Sequence, residues 1–417
     1  MYILQRFKTV SHALKSKISE IRKYLGHRIR TVVSDITIRT RFGKNRSGSG
    51  AIKVAFIVQM PEVWDKEAPL FEAMAVDRRF DPRLIVVPSY NMVSRTFNEY
   101  GTELEFFLSK YKDNYVIKAF DNDWFDIKEK GFEYVFYQRC YEEYLPERYH
   151  TKNVIKYAKT AYIPYAYHAL PDPRDYYRTS FFDYLYMFFC FSDAQRDFQE
   201  RTKSRVVRSV GYPAFEIIRE FSLEKNNDSK RILWTPRWID EPASGGSTFI
   251  KYLYRISELK QLDPSIDLWL RPHPLAFQNA VKDGILSEND VEAFKTKMNE
   301  LGVVIDHNEY VEKSLSDTDI LVTDLSSIII FYFMFGRPIV YCADPDLDYV
   351  PEFRNIIDCS YIAHDWNEVE SYIKMLVAGE DPLKEKRELA ASALRDSQTG
   401  ASKKMLECIV EDSGYRE

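Results

Sequence analysis

The run Leu321–Ile330, LVTDLSSIII, sets one acid and two serines between apolar segments. A short apolar run that ends in polar residues reads as a strand reaching a sheet edge, and Asp and Ser are preferred helix caps. Thr323 and Asp324 therefore fall at the carboxyl end of a strand, and Ser326 and Ser327 at the start of the apolar helix SIIIFYFMFG. A helix start offers unpaired N–H groups and a partial positive charge, and hydroxyls beside it complete a seat for phosphate. Plain capping uses the same residue types, so this run alone leaves both readings open.

Other strand ends add to the phosphate reading. WTPRW leaves Arg237 just past a strand, and a guanidinium forks well onto phosphate. LRPHP leaves Arg271 and His273 past another, with Pro272 and Pro274 stiffening the backbone so that His273 holds a defined direction. IDHNEY puts Asp306, His307 and Tyr310 past a third, where an ordinary loop is the competing account. Earlier in the chain, IPYAYHALPDP places His168 beyond the strand Thr160–Tyr165. A histidine within reach of an acceptor hydroxyl serves as a general base; otherwise it is a satisfied loop residue. The acids of DPDLD (Asp344, Asp346, Asp348) read as a solvated loop rather than a metal cluster, and no metal is expected.

The elements that must hold these groups alternate strand and helix. Ala51–Met60, Pro82–Ser89, Tyr134–Gln138, Thr160–Tyr165 and Tyr186–Ser192 read as strands of a first series. Arg231–Pro236, Ile266–His273, Gly302–Asp306, Asp319–Asp324 and Pro338–Cys342 form a second. Such alternation predicts parallel sheets in α/β units, whose ligands sit beyond the carboxyl ends of the strands. The polar stretch Ser222–Lys230 separates the series. The predicted domains are 51–215 and 216–417, the last helical stretch (about 382–411) packing back across the boundary.

Residues 1–50 differ from the rest. They hold 12 Lys/Arg against two acids, a charge of +10 that leaves −15 on the remainder of a chain whose net charge is −5. Ile3, Leu4, Phe7, Val10, Leu14, Ile18, Ile21 and Leu25 recur at helical spacing among basic residues, predicting a basic amphipathic helix over 2–33. Gly43–Gly50, GKNRSGSG, reads as a linker. An arm of this kind suits an anionic membrane surface, with docking on its own domain as the alternative. Nucleic acid is not expected as a partner, since no recognition motif accompanies the charge. No stretch is apolar enough for a spanning helix, and no secretory signal is evident. Five scattered cysteines without CxxC spacing fit a reducing compartment.

LVTDLSSIIIFYFMFGRPIVYC and LRPHP, with ILWTPRW and SVGYPAFE in support, resemble the motifs of the CDP-glycerol glycerophosphotransferases of teichoic acid synthesis and related capsule enzymes. The resemblance is strongest over about 205–345 and weak before 160. It implies a GT-B fold, two Rossmann-like domains facing a cleft, with a nucleotide-diphosphate donor on the second domain. His273, Ser326 and Ser327 would then contact the donor phosphates, with Asp324 shaping their turn and Arg237 nearby. The family's Trp-His-Gly element, whose histidine is proposed as the base, corresponds to Tyr167-His168-Ala169, which departs from it at both flanking positions. Members are peripheral enzymes of the cytoplasmic membrane acting on lipid-linked acceptors, and the basic arm suits that. The expected activity is transfer of a polyol phosphate or sugar from an activated nucleotide to a hydroxyl of a lipid-linked or growing polysaccharide. An epimerase of the same fold acting on free nucleotide sugar, and a non-catalytic polymer-binding protein, are the alternatives.

Overall fold

A computed structural model describes residues 2–42, 50–170, 176–193, 195–196, 206–218, 230–238, 245–273, 275–307 and 311–416. Most of the proposed linker at 43–50, the stretch 222–229, and Pro274 and Tyr310 lie outside them. The chain forms two compact units, one of residues 1–165, 172–214 and 400–417, the other of 166–171 and 215–399.

The first unit is built on a parallel sheet. Its strands are β1 (Ile52–Val58), β2 (Phe80–Val86), β5 (Val116–Lys118), β6 (Tyr134–Tyr137), β7 (Lys159–Tyr162), β8 (Met187–Cys190) and β9 (Val206–Ser209), in the order β5-β2-β1-β6-β7-β8-β9. Two short strands, β3 (Tyr90–Asn91) and β4 (Thr96–Phe97), pair as an antiparallel hairpin. Strand β1 is apolar on both faces because both are covered, as parallel sheets require. Phe56 stacks on Phe136 at 4.8 Å and meets Trp64 and Phe71 edge-on. Strand order reverses between β1 and β6, which makes their carboxyl ends the switch point.

The helix Ala401–Ser413 returns to this unit and closes the opposite edge. Asp412 accepts hydrogen bonds from Tyr134 (2.5 Å), Lys159 (2.7 Å) and Tyr186 (2.6 Å), at or just before the starts of β6, β7 and β8. Glu407 pairs with Arg79 at 2.8 Å. The single helical stretch expected near 382–411 is in fact two helices, Lys384–Ser397 and Ala401–Ser413, divided at Gly400, whose φ of 67° is left-handed.

The N-terminal helix α1 runs over Tyr2–Phe42, past the expected end at 33. Its last third is rich in β-branched residues, which argue weakly against helix. Thr31, Thr37 and Thr40 each return a hydroxyl bond to the carbonyl four residues earlier, and Phe42 packs on Tyr186. Side chains of α1 are described from Lys17 onward, Glu20 apart. Its docking face is polar: His27, Thr31, Ser34 and Ile38, one helical stripe, are each no more than 6% exposed. Asp183 takes the His27 ring nitrogen and, at 2.5 Å, the Arg30 Nε. The opposite stripe, Ile18, Ile21, Leu25, Ile29, Val32 and Ile36, is 43–65% exposed. A helix docked on its own domain ordinarily buries its apolar stripe; this one reverses the rule.

The second unit has a six-stranded parallel sheet of β10 (Lys230–Thr235), β11 (Ile266–Leu270), β12 (Val304–Ile305), β13 (Ile320–Thr323), β14 (Ile339–Tyr341) and β15 (Tyr361–Ile362). The order is β12-β11-β10-β13-β14-β15, so the switch point lies between β10 and β13. Residues 166–171, which the sequence reading puts in the first half, cluster with this unit, and Val350 donates its N–H to the Ala169 carbonyl at 2.9 Å. Among the described residues no disulfide joins any of the five cysteines. Among the described residues no helix is long and apolar enough to cross a membrane.

Candidate active site

Strands β10 and β13 lie side by side, Thr235 opposite Thr323, and their hydroxyls bond at 2.8 Å. One residue on, the chain turns Asp324 inward. Its carboxylate is fully buried and accepts three hydrogen bonds: Arg237 N–H at 3.0 Å, Thr248 N–H at 2.8 Å and Thr248 Oγ1 at 2.7 Å. Asp324 thus fixes both ends of the loop after β10. Burial raises its pKa, and the bonds from Thr248 and Arg237 oppose that rise. Ser247 completes the knot, giving its hydroxyl to the Arg237 carbonyl at 2.5 Å.

This loop approaches the end of β14 closely. Gly245 has a φ of 82°, and a Cβ there would lie 3.1 Å from Ala343 Cβ and 3.2 Å from the Asp344 nitrogen. Only glycine combines that dihedral with that approach. Beside the loop is a cavity of about 820 Å³, lined among others by Trp238, Ser247, Thr248, Asn279 and Asp283. Its size is that of a small-molecule site. Trp238, Thr248, Gly245 and Gly246 were missed from sequence. The readable signal was GGST (Gly245–Thr248) directly before a helix, a glycine-rich turn ending in a hydroxyl.

His273 is next to this wall, its ring centroid 5.7 Å from that of Trp238. Nδ1 accepts the Leu275 N–H at 3.2 Å, so in the neutral ring the proton sits on Nε2, ready to donate. Although part of the ring is exposed, its surroundings remove enough water to lower its pKa below 6.5.

Ser326 and Ser327 precede a helix that spans only Ile328–Phe333, shorter than the apolar run suggests because Gly336 turns left-handed just beyond. Ser326 Oγ accepts the Ile328 N–H at 3.3 Å. Ser327 occupies the cap position but its side chain makes no capping bond. Both serines are half-buried.

Arg271 is the expected ligand most engaged elsewhere. Its guanidinium meets buried Asp306 at 2.8 Å, tying the ends of β11 and β12. His307 is exposed. His168 is half-buried in the loop after β7. Asp344 accepts the N–H of Asp346 at 2.8 Å, an ordinary turn. Among the described residues no three His, Cys, Asp or Glu side chains are grouped to hold a metal ion.

The structure is similar in fold to a putative UDP-N-acetylglucosamine 2-epimerase from Listeria monocytogenes (TM-score 0.57, 11% identity, 88% of this chain and 98% of that one). It is similar as well to the UDP-GlcNAc 2-epimerase of Neisseria meningitidis (0.56, 14%, 86% and 100%). The wall teichoic acid polymerase TagF covers more of the chain (0.52, 14%, 95% and 98%). A comparison with curated protein sequences gives no match. The fold is therefore α/β of the GT-B-like class, two Rossmann-like sheets in one chain.

Residues 214–359 match the profile of the CDP-glycerol:poly(glycerophosphate) glycerophosphotransferase family, and the protein is a transferase. The matched segment holds Arg237, His273, Asp324, Ser326 and Ser327.

Proposed function

We propose that the protein transfers a polyol phosphate, such as glycerol phosphate, from a CDP-linked donor to a hydroxyl of a cell-surface polymer or its lipid-linked precursor. The observation that carries this reading is the coincidence of the family match with the switch point of the second sheet, where Asp324 ties the β10 loop beside a nucleotide-sized cavity. The acceptor oxygen attacks the β-phosphorus of the donor, His168 takes its proton, and the bond to the bridging oxygen breaks as CMP leaves. Arg237, the Nε2–H of His273 and the backbone N–H groups after Ser326 meet the charge on the departing phosphate. This is catalysis by positioning and electrostatics, with no metal ion required. A free nucleotide-sugar epimerase shares the fold alone, and incubation with donor and no acceptor separates the two readings.

Thermal shift tests the donor, since a ligand that binds the native state raises its melting temperature. CDP-glycerol, CDP-ribitol and common nucleotide sugars are compared. The true donor is expected to raise the midpoint by several degrees, and His273→Ala to abolish most of that rise. An undiminished shift in the variant would remove His273 from the site.

The same reading places the enzyme on the inner face of the cell membrane through α1. Its exposed stripe is bordered, by helical periodicity, by Arg22, Arg28 and Arg39. Apolar burial plus about 1 kcal/mol for each basic residue near an anionic surface is enough for reversible binding. Flotation with phosphatidylglycerol vesicles is expected to carry the protein up, and phosphatidylcholine vesicles to carry it far less. Leu25→Glu with Ile29→Glu should lower recovery at least tenfold without loss of fold; equal recovery would dismiss α1 as the contact.

A further inference from the structure

The first unit has its own polar knot at its own switch point. Gln138 follows β6 and Gln59 follows β1, and both are buried. Gln138 Oε1 accepts the N–H groups of Gln59 (2.9 Å) and Met60 (2.8 Å), and its amide nitrogen returns a bond to the Met60 carbonyl at 2.7 Å. Gln59 Nε2 donates to the carbonyls of Pro88 (2.8 Å) and Tyr144 (3.2 Å). Its oxygen must then face the other way, and there it accepts a bond from Arg139 at 2.5 Å.

Arg139 is half-buried, its guanidinium carbon 5.1 Å from the centre of the Tyr144 ring. The bond to Gln59 uses one of its five N–H donors. Among the described residues no carboxylate pairs with it and no other acceptor takes the remaining four. The side chains around its charge include Tyr144, Tyr165, Tyr141 and Cys140. Tyr141 and Tyr165 bond to each other through their hydroxyls at 2.9 Å. A desolvated cation without a counter-ion is costly, and such groups cluster at functional sites. Its structural roles, packing on Tyr144 and donating to the buried Gln59 oxygen, need a donor but no charge, and a neutral amide serves both.

We propose that Arg139 binds a phosphate group of the acceptor. The location argues for it: parallel sheets take ligands beyond the carboxyl ends of the strands at the reversal of their order, and Arg139 follows β6 beside β1. A guanidinium fork matches phosphate oxygens in pairs, and tyrosine hydroxyls suit the neighbouring polyol. The donor-site candidates Arg237, His273 and Ser326 all belong to the other unit, and the titration below separates acceptor from donor as the source of this phosphate. The inference rests on the transferase reading above and adds a substrate contact to it.

The test uses the full chain and calorimetric titration with two probes, a short glycerol phosphate oligomer and CMP. Arg139→Gln is expected to weaken the oligomer at least tenfold and leave CMP unchanged, with a melting temperature equal to or above that of the wild type. Unchanged oligomer affinity overturns the proposal, and so does a parallel loss for CMP, which would place Arg139 at the donor phosphate. Absent binding of the oligomer to the wild type overturns it as well. Should Arg139→Gln fail to fold, Arg139→Lys decides: a loss of threefold or more for the oligomer alone supports the assignment, and wild-type affinity overturns it. Failure of the transferase reading looks different, since the wild type would then take up neither CMP nor CDP-glycerol.

Discussion

Asp324→Ala is expected to destabilise the second unit by about 3 kcal/mol and to lower kcat/KM at least a hundredfold. The substitution leaves two backbone N–H groups and a buried hydroxyl without their acceptor, and each such loss costs about 1–3 kcal/mol. Removal of a buried charge offsets part of it. Asp324→Asn is the informative control. Its oxygen still accepts from Arg237 and Thr248, and the Thr248 hydroxyl turns to accept from the amide, so the loss is expected to stay under about 1 kcal/mol. Urea unfolding of both variants with steady-state kinetics checks the pair. Equal stabilities for Ala and Asn would mean that Asp324 does not tether the loop.

The second large effect concerns pH. Glu67 caps the start of α2 (Ala68–Val76) in position only, and both of its carboxyl oxygens are buried without a hydrogen-bond partner among the described residues. Burial pushes its pKa up to about 8. The folded state therefore holds a proton that the unfolded chain releases near 4.5. Stability from this group is complete below about pH 4.5, declines as pH rises, and is lost once pH passes 8. Between pH 5 and pH 9 the wild type should lose about 4 kcal/mol more than Glu67→Gln, which has no proton to release. Urea unfolding at the two pH values measures the difference directly. Parallel losses in the two proteins would show that Glu67 does not carry this proton in the folded state.

Long apolar strands were legible in the sequence because both their faces are buried; β1, β6 and β10 lie where such runs predict. The missed strands were β3, β4, β5, β9 and β15, of two to four residues; the first two form a separate hairpin and the other three lie at sheet edges, places that demand no continuous apolar run. At the candidate site, strand-end logic pointed to Asp324, Arg237 and His273, which follow β13, β10 and β11 of the second sheet. It did not find that Asp324 faces Thr248, 76 residues earlier, or that Arg271 turns to Asp306, 35 residues later. Those pairings follow from which strands become neighbours, and one-dimensional spacing carries no such information. Helix α1 shows the same limit. Periodicity revealed two faces, and Asp183, 156 residues away from His27, decided which one docks.

The return of residues 400–417 to the first sheet orders events during synthesis. Tyr134, Lys159 and Tyr186 share an acceptor, Asp412, that leaves the ribosome after the entire second unit. The half made first is thus the half finished last, and until then one rim of its sheet stands uncovered. No single cut in the chain releases that half whole; a fragment ending near residue 214 would need its missing strap supplied as a separate peptide.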